Sequence, residues 1–597
     1  MAKSHSRTFV WEFDAPPEEV WPYLADTARF NEAAGLPNHA IEETPRPDGS
    51  VEFRGRARMG PFELVWREQP TNWVAEQWFE HCRIFERGPL ARLCAVLRLT
   101  PTPEGCRAEY SVEASAKGLL GEGILRQGFF RSTARSFGHQ AAHLGAFLEG
   151  RQATPFDYTA APVTEAVRAR VDAIVARLEE TEHGRAHARR LADYVLGAQE
   201  VDLVQLRPLR LARLWGLSER VAVELCLEAT RAGLLELRWD LLCPRCRVAK
   251  LVVGSLDQLP QGAHCSTCNI DYGRDFSRNV ELSFHPAPGI RPLNTGEYCL
   301  FGPMSTPHIR VHVTLEPGES RRLDVKLAPG HYRLRTQEPG PELDLETPAE
   351  GFPEVVLAPE AITAGAAAPP GELVLSNRLP WRRTVVIEER EWVRDALTAD
   401  RASSLQAFRD LFSDQVLRPG DEVAVKRVAL MFTDLRGSTA LYRSIGDARA
   451  YRLVREHFAL LAAKVRDHDG AIVKTIGDAV MAAFIRPADA LAAALQIQRE
   501  IEAFNAGRPE TPIRVKLGLH EGPCIAVTLN DRLDYFGSTV NLAARLQGES
   551  QGGDIVLSRT MAGDPTVAAL ISDLSPCEEQ AALKGFDTPV GFLRLRP

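Results

Sequence analysis

Residues 428–439 read VALMFTDLRGST and residues 471–484 read AIVKTIGDAVMAAF. Each is an apolar, β-rich run that presents an aspartate. Val428–Phe432 delivers Asp434, and the two arms of the second stretch flank a turn at Gly477-Asp478. Between them, Tyr451, Val454, Phe458, Leu461 and Val465 recur at helical spacing within Asp447–Asp467, a core-facing stripe. A second helix is expected over Ala488–Phe504 and a strand over Ile513–Leu519, followed by a hairpin-like region. Ser538-Thr539 then caps a helix on which Asn541 and Arg545, four apart, share a face. Apolar strands alternating with amphipathic helices predict an α+β sheet with helices on one face. Carboxylates at strand ends suit a site for two hard divalent cations, which take oxygen ligands.

These stretches, with DYFGSTVNLAAR at 534–545 and ALKGFDTPV at 582–590, resemble the catalytic domain of class III nucleotidyl cyclases over residues 419–597. The resemblance implies a ferredoxin-like (palm) domain acting on ATP to give 3′,5′-cyclic AMP and pyrophosphate. It assigns Asp434, Asp478 and the Leu435 carbonyl to two Mg²⁺ or Mn²⁺, and Lys474 and Asp534 to the purine. It assigns Asn541 to the ribose, Arg545 to charge on the α-phosphate and Lys584 to the triphosphate. A Lys donor with an Asp acceptor complements N1 and the C6 amine of adenine, whereas guanine reverses both, which favours ATP. One cyclase domain holding both residue sets implies a homodimer with two composite sites. A guanylate cyclase and a catalytically inert, nucleotide-responsive scaffold are the competing readings.

Upstream, Trp392–Leu417 reads as a linker helix over residues 392–418, with Leu397, Leu405, Phe408, Leu411 and Phe412 on one side and Pro419-Gly420 ending it. Residues 281–391 are rich in Pro and Gly with short strand-like runs, the pattern of a small β-sandwich. Within 241–280, Cys243-Pro-Arg-Cys246 and Cys265-Ser-Thr-Cys268 are two CxxC pairs separated by 18 residues. That spacing predicts a zinc ribbon, four thiolates closing one structural Zn²⁺ with no place for water. Residues 160–240 have the rhythm of a helical, winged-helix-like segment. Its last helix carries Glu219, Glu224 and Glu228, so it is not a basic recognition helix and no nucleic acid is expected.

Residues 1–152 open with WEFDAPPEEVWPYLAD (11–26), a strand then a Pro-started helix, and close on an apolar helical run, Gly121–Leu148. This opening resembles the START-like, or SRPBCC, helix-grip family, whose members enclose an apolar ligand between sheet and long helix. A sensing pocket and a packed contact domain are equally open readings. The whole order also resembles a bacterial group of soluble cyclases with such an N-terminal domain, so the preceding domains are expected to regulate turnover.

The 597 residues carry a net charge of −8, with 45% apolar and 25% charged residues. That is ordinary globular composition and argues against a chain-wide polyanion binder. Only nine of the 71 basic residues are lysines, so Lys474 and Lys584 stand out. No apolar run reaches the roughly 18 residues of a membrane span, and the N-terminus lacks a secretory pattern. A cytoplasmic location follows as an expectation, with Cys82, Cys94, Cys106, Cys226, Cys299, Cys524 and Cys577 as reduced thiols.

Overall fold

The structure, a computed structural model, describes residues 3–597 except 48, 295, 300–301, 347–352, 360, 368–370 and 392. In the N-terminal domain the strand Ser4–Phe13 pairs antiparallel with Gly105–Ala116, which continues through Leu90–Thr102 to Trp78–Arg87. The helix Phe130–Leu148 lies across this sheet and buries Phe137, Ala141 and Leu144 with Phe13, Trp21 and Leu97. This is the expected helix-grip arrangement. The single helix expected from Gly121 is instead a short helix Gly118–Ile124, a π-helical turn Leu125–Phe129, and then the long helix. Gly121, Gly123 and Gly128 weaken helical propensity there. The expectation of reduced thiols fails for Cys82 and Cys94. Strand register places them directly opposite each other, and they form a disulfide with Cα atoms 4.1 Å apart.

The sheet does not end with this domain. Trp73 and Val74, in the short strand Asn72–Val74, pair with His312 and Val311 of Ile309–Leu315. The ladder continues through Arg383–Glu389, His331–Thr336 and Glu342–Glu346, so one sheet of 12 strands spans both regions. A four-stranded sheet faces its distal part, and Val313, Leu315, Leu334, Val355, Leu373, Leu375 and Ile387 fill the space between.

Residues 165–232 form five helices. Ser218 caps the last, Glu219–Ala232, by accepting from the Val221 N–H, and Gly233 ends it with φ of +87°. Val223, Leu225, Cys226, Leu227 and Ala229 of this helix are buried, so it is a core element. The strand Leu235–Leu242 follows, flanked by Ala249–Val253 and Val280–Pro286.

The linker helix is not observed as one element. Trp392 lies outside the described residues. Leu397 and Thr398 add to the edge of Val280–Pro286, and two short helices follow, Ala399–Ser403 and Gln406–Leu411. The hydroxyls of Ser403 and Ser404 both donate to the Asp400 carbonyl, competing with the helical ladder where the first helix stops.

In the C-terminal domain the sheet runs Ala471–Ile476, Ala479–Phe484, Glu422–Leu435, Val515–Leu529, Ile555–Ser558, Val590–Leu595, Cys577–Ala581, with Arg532–Phe536 paired to Val515–Leu529. Helices Asp447–Asp467 and Pro487–Ala506 cover one face through Leu453, Leu461, Val465, Leu491 and Ile497. The other face shares its core with the upstream segments. One apolar cluster runs from Val171 and Ile174 through Trp239, Phe276 and Phe408 to Val423, Phe432, Val473, Tyr535 and Ala543.

Candidate functional site

The carboxylate pair is a product of register. Phe432 pairs with Met481 and Thr433 with Val480, so Asp434 comes to rest beside the turn that carries Asp478. Gly477 starts that turn with φ of +65°, a conformation a side chain disfavours. Burial, and then the charge of Asp478, push the Asp434 carboxyl above its ordinary pKa, while Lys516 opposes the shift. Lys516 lies directly across the ladder from Asp434, and its Nζ donates to the Gly548 carbonyl at 3.0 Å. Oδ2 of Asp478 is buried with no hydrogen-bond partner. Around it sit two further buried groups. The Tyr442 hydroxyl has no partner and is pushed up to about 12 by burial and then by Asp478 and Asp434. Burial pushes His457 down to about 4, and neither of its ring nitrogens has a partner. Two carboxylates this close, one with an unsatisfied buried oxygen, form a donor set that fits hard divalent cations. Leu435, the next residue, is buried and ends the strand.

Lys474 and Asp534 form a second pair. Lys474 Nζ lies 2.6 Å from Asp534 Oδ2, and Asp534 Oδ1 accepts from the Tyr535 N–H at 2.7 Å. Asp534 is buried, whereas the Lys474 side chain is 35% exposed. The helix Ser538–Glu549 presses on the sheet at Gly518, where a Cβ would stand 2.1 Å from the Gln547 nitrogen. The expected hydroxyl cap is absent. Gly537 occupies the cap position, and the Thr539 hydroxyl donates to the Pro523 carbonyl instead. Asn541 and Arg545 are exposed on this helix, and Lys584 is exposed between Cys577–Ala581 and Val590–Leu595. Among the described residues no hydrogen bond or ion pair joins these three side chains to either pair.

The four clustered cysteines are buried, and their sulfurs lie within 4.8 Å of one another. Cys246 and Cys265 sulfurs are 3.8 Å apart, and the Arg245 and Cys268 N–H groups donate to the sulfurs of Cys243 and Cys265. Each CxxC is followed by a residue in the left-handed region, Arg247 at +59° and Asn269 at +47°. The cluster could hold one metal ion. In the N-terminal domain a cavity of about 540 Å³ lies between sheet and long helix, lined by Trp11, Phe30, Trp66, Phe85, Phe129 and Phe137 among others.

Strand-end pattern located both carboxylates and CxxC spacing the cysteines, whereas Lys474 and Asp534 were pointed to by the family resemblance alone. None of these located Lys516, Tyr442 or His457, whose proximity depends on cross-strand register and on helices packed over the strand ends.

Residues 422–565 match the family described as adenylate and guanylate cyclase catalytic domain. Residues 5–145 match the family of polyketide cyclase / dehydrase and lipid transport, and residues 169–298 match a family of unknown function (DUF5939). Adenylate cyclase of Lachancea kluyveri is 34% identical over 173 residues, covering 25% of this chain and 9% of that protein. Adenylate cyclase 1 of Rhizobium meliloti (strain 1021) is 34% identical over 139 residues, 21% of each chain. Human retinal guanylyl cyclase 1 is 32% identical over 134 residues, 20% of this chain and 12% of that protein. The chain thus spans between 9% and 21% of the length of these relatives. Among the described residues, no helix is long and apolar enough to cross a membrane.

Proposed function

We propose that this chain, which carries a class III cyclase catalytic domain and an N-terminal SRPBCC-like domain, is an adenylate cyclase converting ATP to 3′,5′-cyclic AMP and pyrophosphate. The observation that carries the reading is the unsatisfied, buried Asp478 oxygen beside a second carboxylate at the strand ends. Asp434 and Asp478, with the Leu435 carbonyl, would hold two Mg²⁺ or Mn²⁺, which when bound make the ribose 3′-hydroxyl more acidic and offset the triphosphate charge. The 3′-oxygen attacks the α-phosphorus and the bond to pyrophosphate breaks. Arg545, exposed and without an ion-pair partner among the described residues, offers a planar, always-charged guanidinium to the charge that develops. Asn541, on the same face, orients the ribose, and Lys584 engages the triphosphate.

The Lys474–Asp534 pair supports ATP over GTP. Adenine can take the Lys474 donor at N1 and give its C6 amine to Asp534, replacing one internal bond with two. Guanine would face donor with donor and acceptor with acceptor, leaving buried polar groups unpaired. With both residue sets in one catalytic domain, the reading is a homodimer, one protomer giving the carboxylates and its partner the purine and phosphate residues. The four cysteines suit one structural Zn²⁺, and the N-terminal cavity suits an apolar small molecule.

Purified chain assayed with ATP and with GTP, each with Mg²⁺ or Mn²⁺, tests this directly. Cyclic AMP is expected as the main product, lost in Asp434→Ala and in Arg545→Ala and partly restored when the two variants are mixed. Cyclic GMP as the main product would overturn the base assignment, and no recovery on mixing would overturn the shared site.

A further inference from the structure

The short helix Gln406–Leu411 touches both strands that carry the Lys474–Asp534 pair. Ala471–Ile476 is the edge strand of the sheet, and the Ile472 N–H, two residues before Lys474, donates to Gln406 Oε1 at 2.8 Å. The ladder slips between Ile472 and Lys474, so the neighbouring strand alone does not define the approach to Lys474. One turn further along the helix, Arg409 reaches the other strand. Its Nη1 donates to the Leu533 carbonyl at 2.9 Å, its Nε donates to the Ser403 carbonyl at 2.6 Å, and its guanidinium lies 5.7 Å from the Tyr535 ring centre. Leu533 and Tyr535 are the residues on either side of Asp534.

These contacts are polar anchors rather than close packing. A cavity of about 160 Å³ remains between helix and strands, lined by Gln406, Arg409, Lys474, Thr475 and Leu533 among others. On its other side the helix is held by apolar contact with the upstream segment. Phe408 is buried against Trp239, ring centres 5.9 Å apart, and the Trp239 indole donates to Gln415 at 2.9 Å.

We propose that Arg409 and Gln406 are positioning residues for purine selection, fixing the separation of Lys474 and Asp534 and linking it to the domains upstream. The proposal rests on the reading of that pair as the purine site. Arg409 touches neither the carboxylate pair nor the Asn541–Arg545 face, so its loss acts on nucleotide binding and base choice more than on turnover.

The test uses the full chain. Arg409→Met is expected to raise KM for ATP about tenfold and to lower the ATP-over-GTP preference by a similar factor, the worth of about one hydrogen bond. Its kcat should change less than about threefold. Arg409→Lys, which keeps one donor, should recover part of both. In a Lys474→Ala background, Arg409→Met should add no further loss, because the pair it positions is already broken. If Arg409→Met does not fold, Gln406→Leu makes the same test from the edge strand. Unchanged KM and preference in a folded variant, or losses that add fully to those of Lys474→Ala, would overturn the proposal while leaving the cyclase reading intact. A wild-type chain that cyclises neither nucleotide overturns both.

Discussion

Asp434 is an uncomfortable charge, half-buried beside the carboxylate of Asp478. Burial and a like charge raise the Asp434 pKa, so the folded chain holds that proton more readily than the unfolded chain does. Without metal, this group's contribution to stability is therefore present below the ordinary carboxylate range and lost as pH rises through the raised value. Replacing the like charge should relieve the cost. Metal-free Asp478→Asn is expected to melt no lower than wild type at pH 7. Wild type should gain on the order of 2.7 kcal/mol from Mn²⁺ at about a hundred times its dissociation constant. The variant should lose that gain, and thermal melts with and without Mn²⁺ read both effects. A Mn²⁺ shift surviving in Asp478→Asn would remove Asp478 from the metal site. At this scale the sequence was informative where chemistry and spacing coincide, as in the two aspartates. It was silent on Tyr442, His457 and Lys516, because what matters about them is which buried groups they face.

Elements were legible where a strong period meets a matching end signal. Asp447–Asp467 has the expected bounds, and the Ala471–Phe484 hairpin turns at Gly477-Asp478. The buried face of that helix, however, is Ala450, Leu453, His457, Leu461 and Val465, so Tyr451 of the expected stripe is exposed. The linker shows the opposite case. Phe408 and Phe412 are buried as the stripe requires, yet Leu397 is buried at a sheet edge, and serine hydroxyls break the helix between them. Periodicity found the apolar residues and misread the element because two short helices around a bend satisfy the same spacing. The cysteine knuckles are small elements with large reach. Their two-stranded part, Gly262–Cys265 with Ile270–Gly273, has little core beyond the thiols. Arg247, in the first knuckle, donates to the carbonyls of Glu389 and Glu391 just ahead of the linker. Purified chain is expected to carry about one zinc. Cys265→Ser should lose that zinc and melt at lower temperature, as metal analysis and calorimetry would show. Zinc-free wild type with four titratable thiols would refute the site.

The cyclase catalytic domain and the SRPBCC-like domain are present, but the joints between the segments are not written locally. Trp73 and Val74 meet His312 and Val311 across more than two hundred residues. Glu32 accepts the backbone N–H groups of Glu200 and Val201, at 2.7 and 3.3 Å, at the start of a helix in the next segment. Arg29 bridges Asp26 and Asp202 across the same joint. No period or motif announces such pairs, since each partner alone looks like an ordinary strand end or surface charge. They change how regulation should be tested. If the N-terminal domain were an independent sensor, a chain lacking residues 1–150 would fold normally and differ only in kinetics. The shared sheet argues otherwise. The truncation would uncover the edge of Ile309–Leu315, where Val311 is fully buried, and unpaired edges of apolar strands invite aggregation. It would also leave the Glu200 and Val201 N–H groups without their carboxylate. The truncated chain is therefore expected to melt at lower temperature and to lose soluble yield, even with ATP and Mn²⁺ present. Scanning calorimetry and size-exclusion chromatography would measure both. A truncated chain with unchanged melting temperature would show that the continuous sheet contributes no stability across the joint. In that case altered turnover could be assigned to signalling alone.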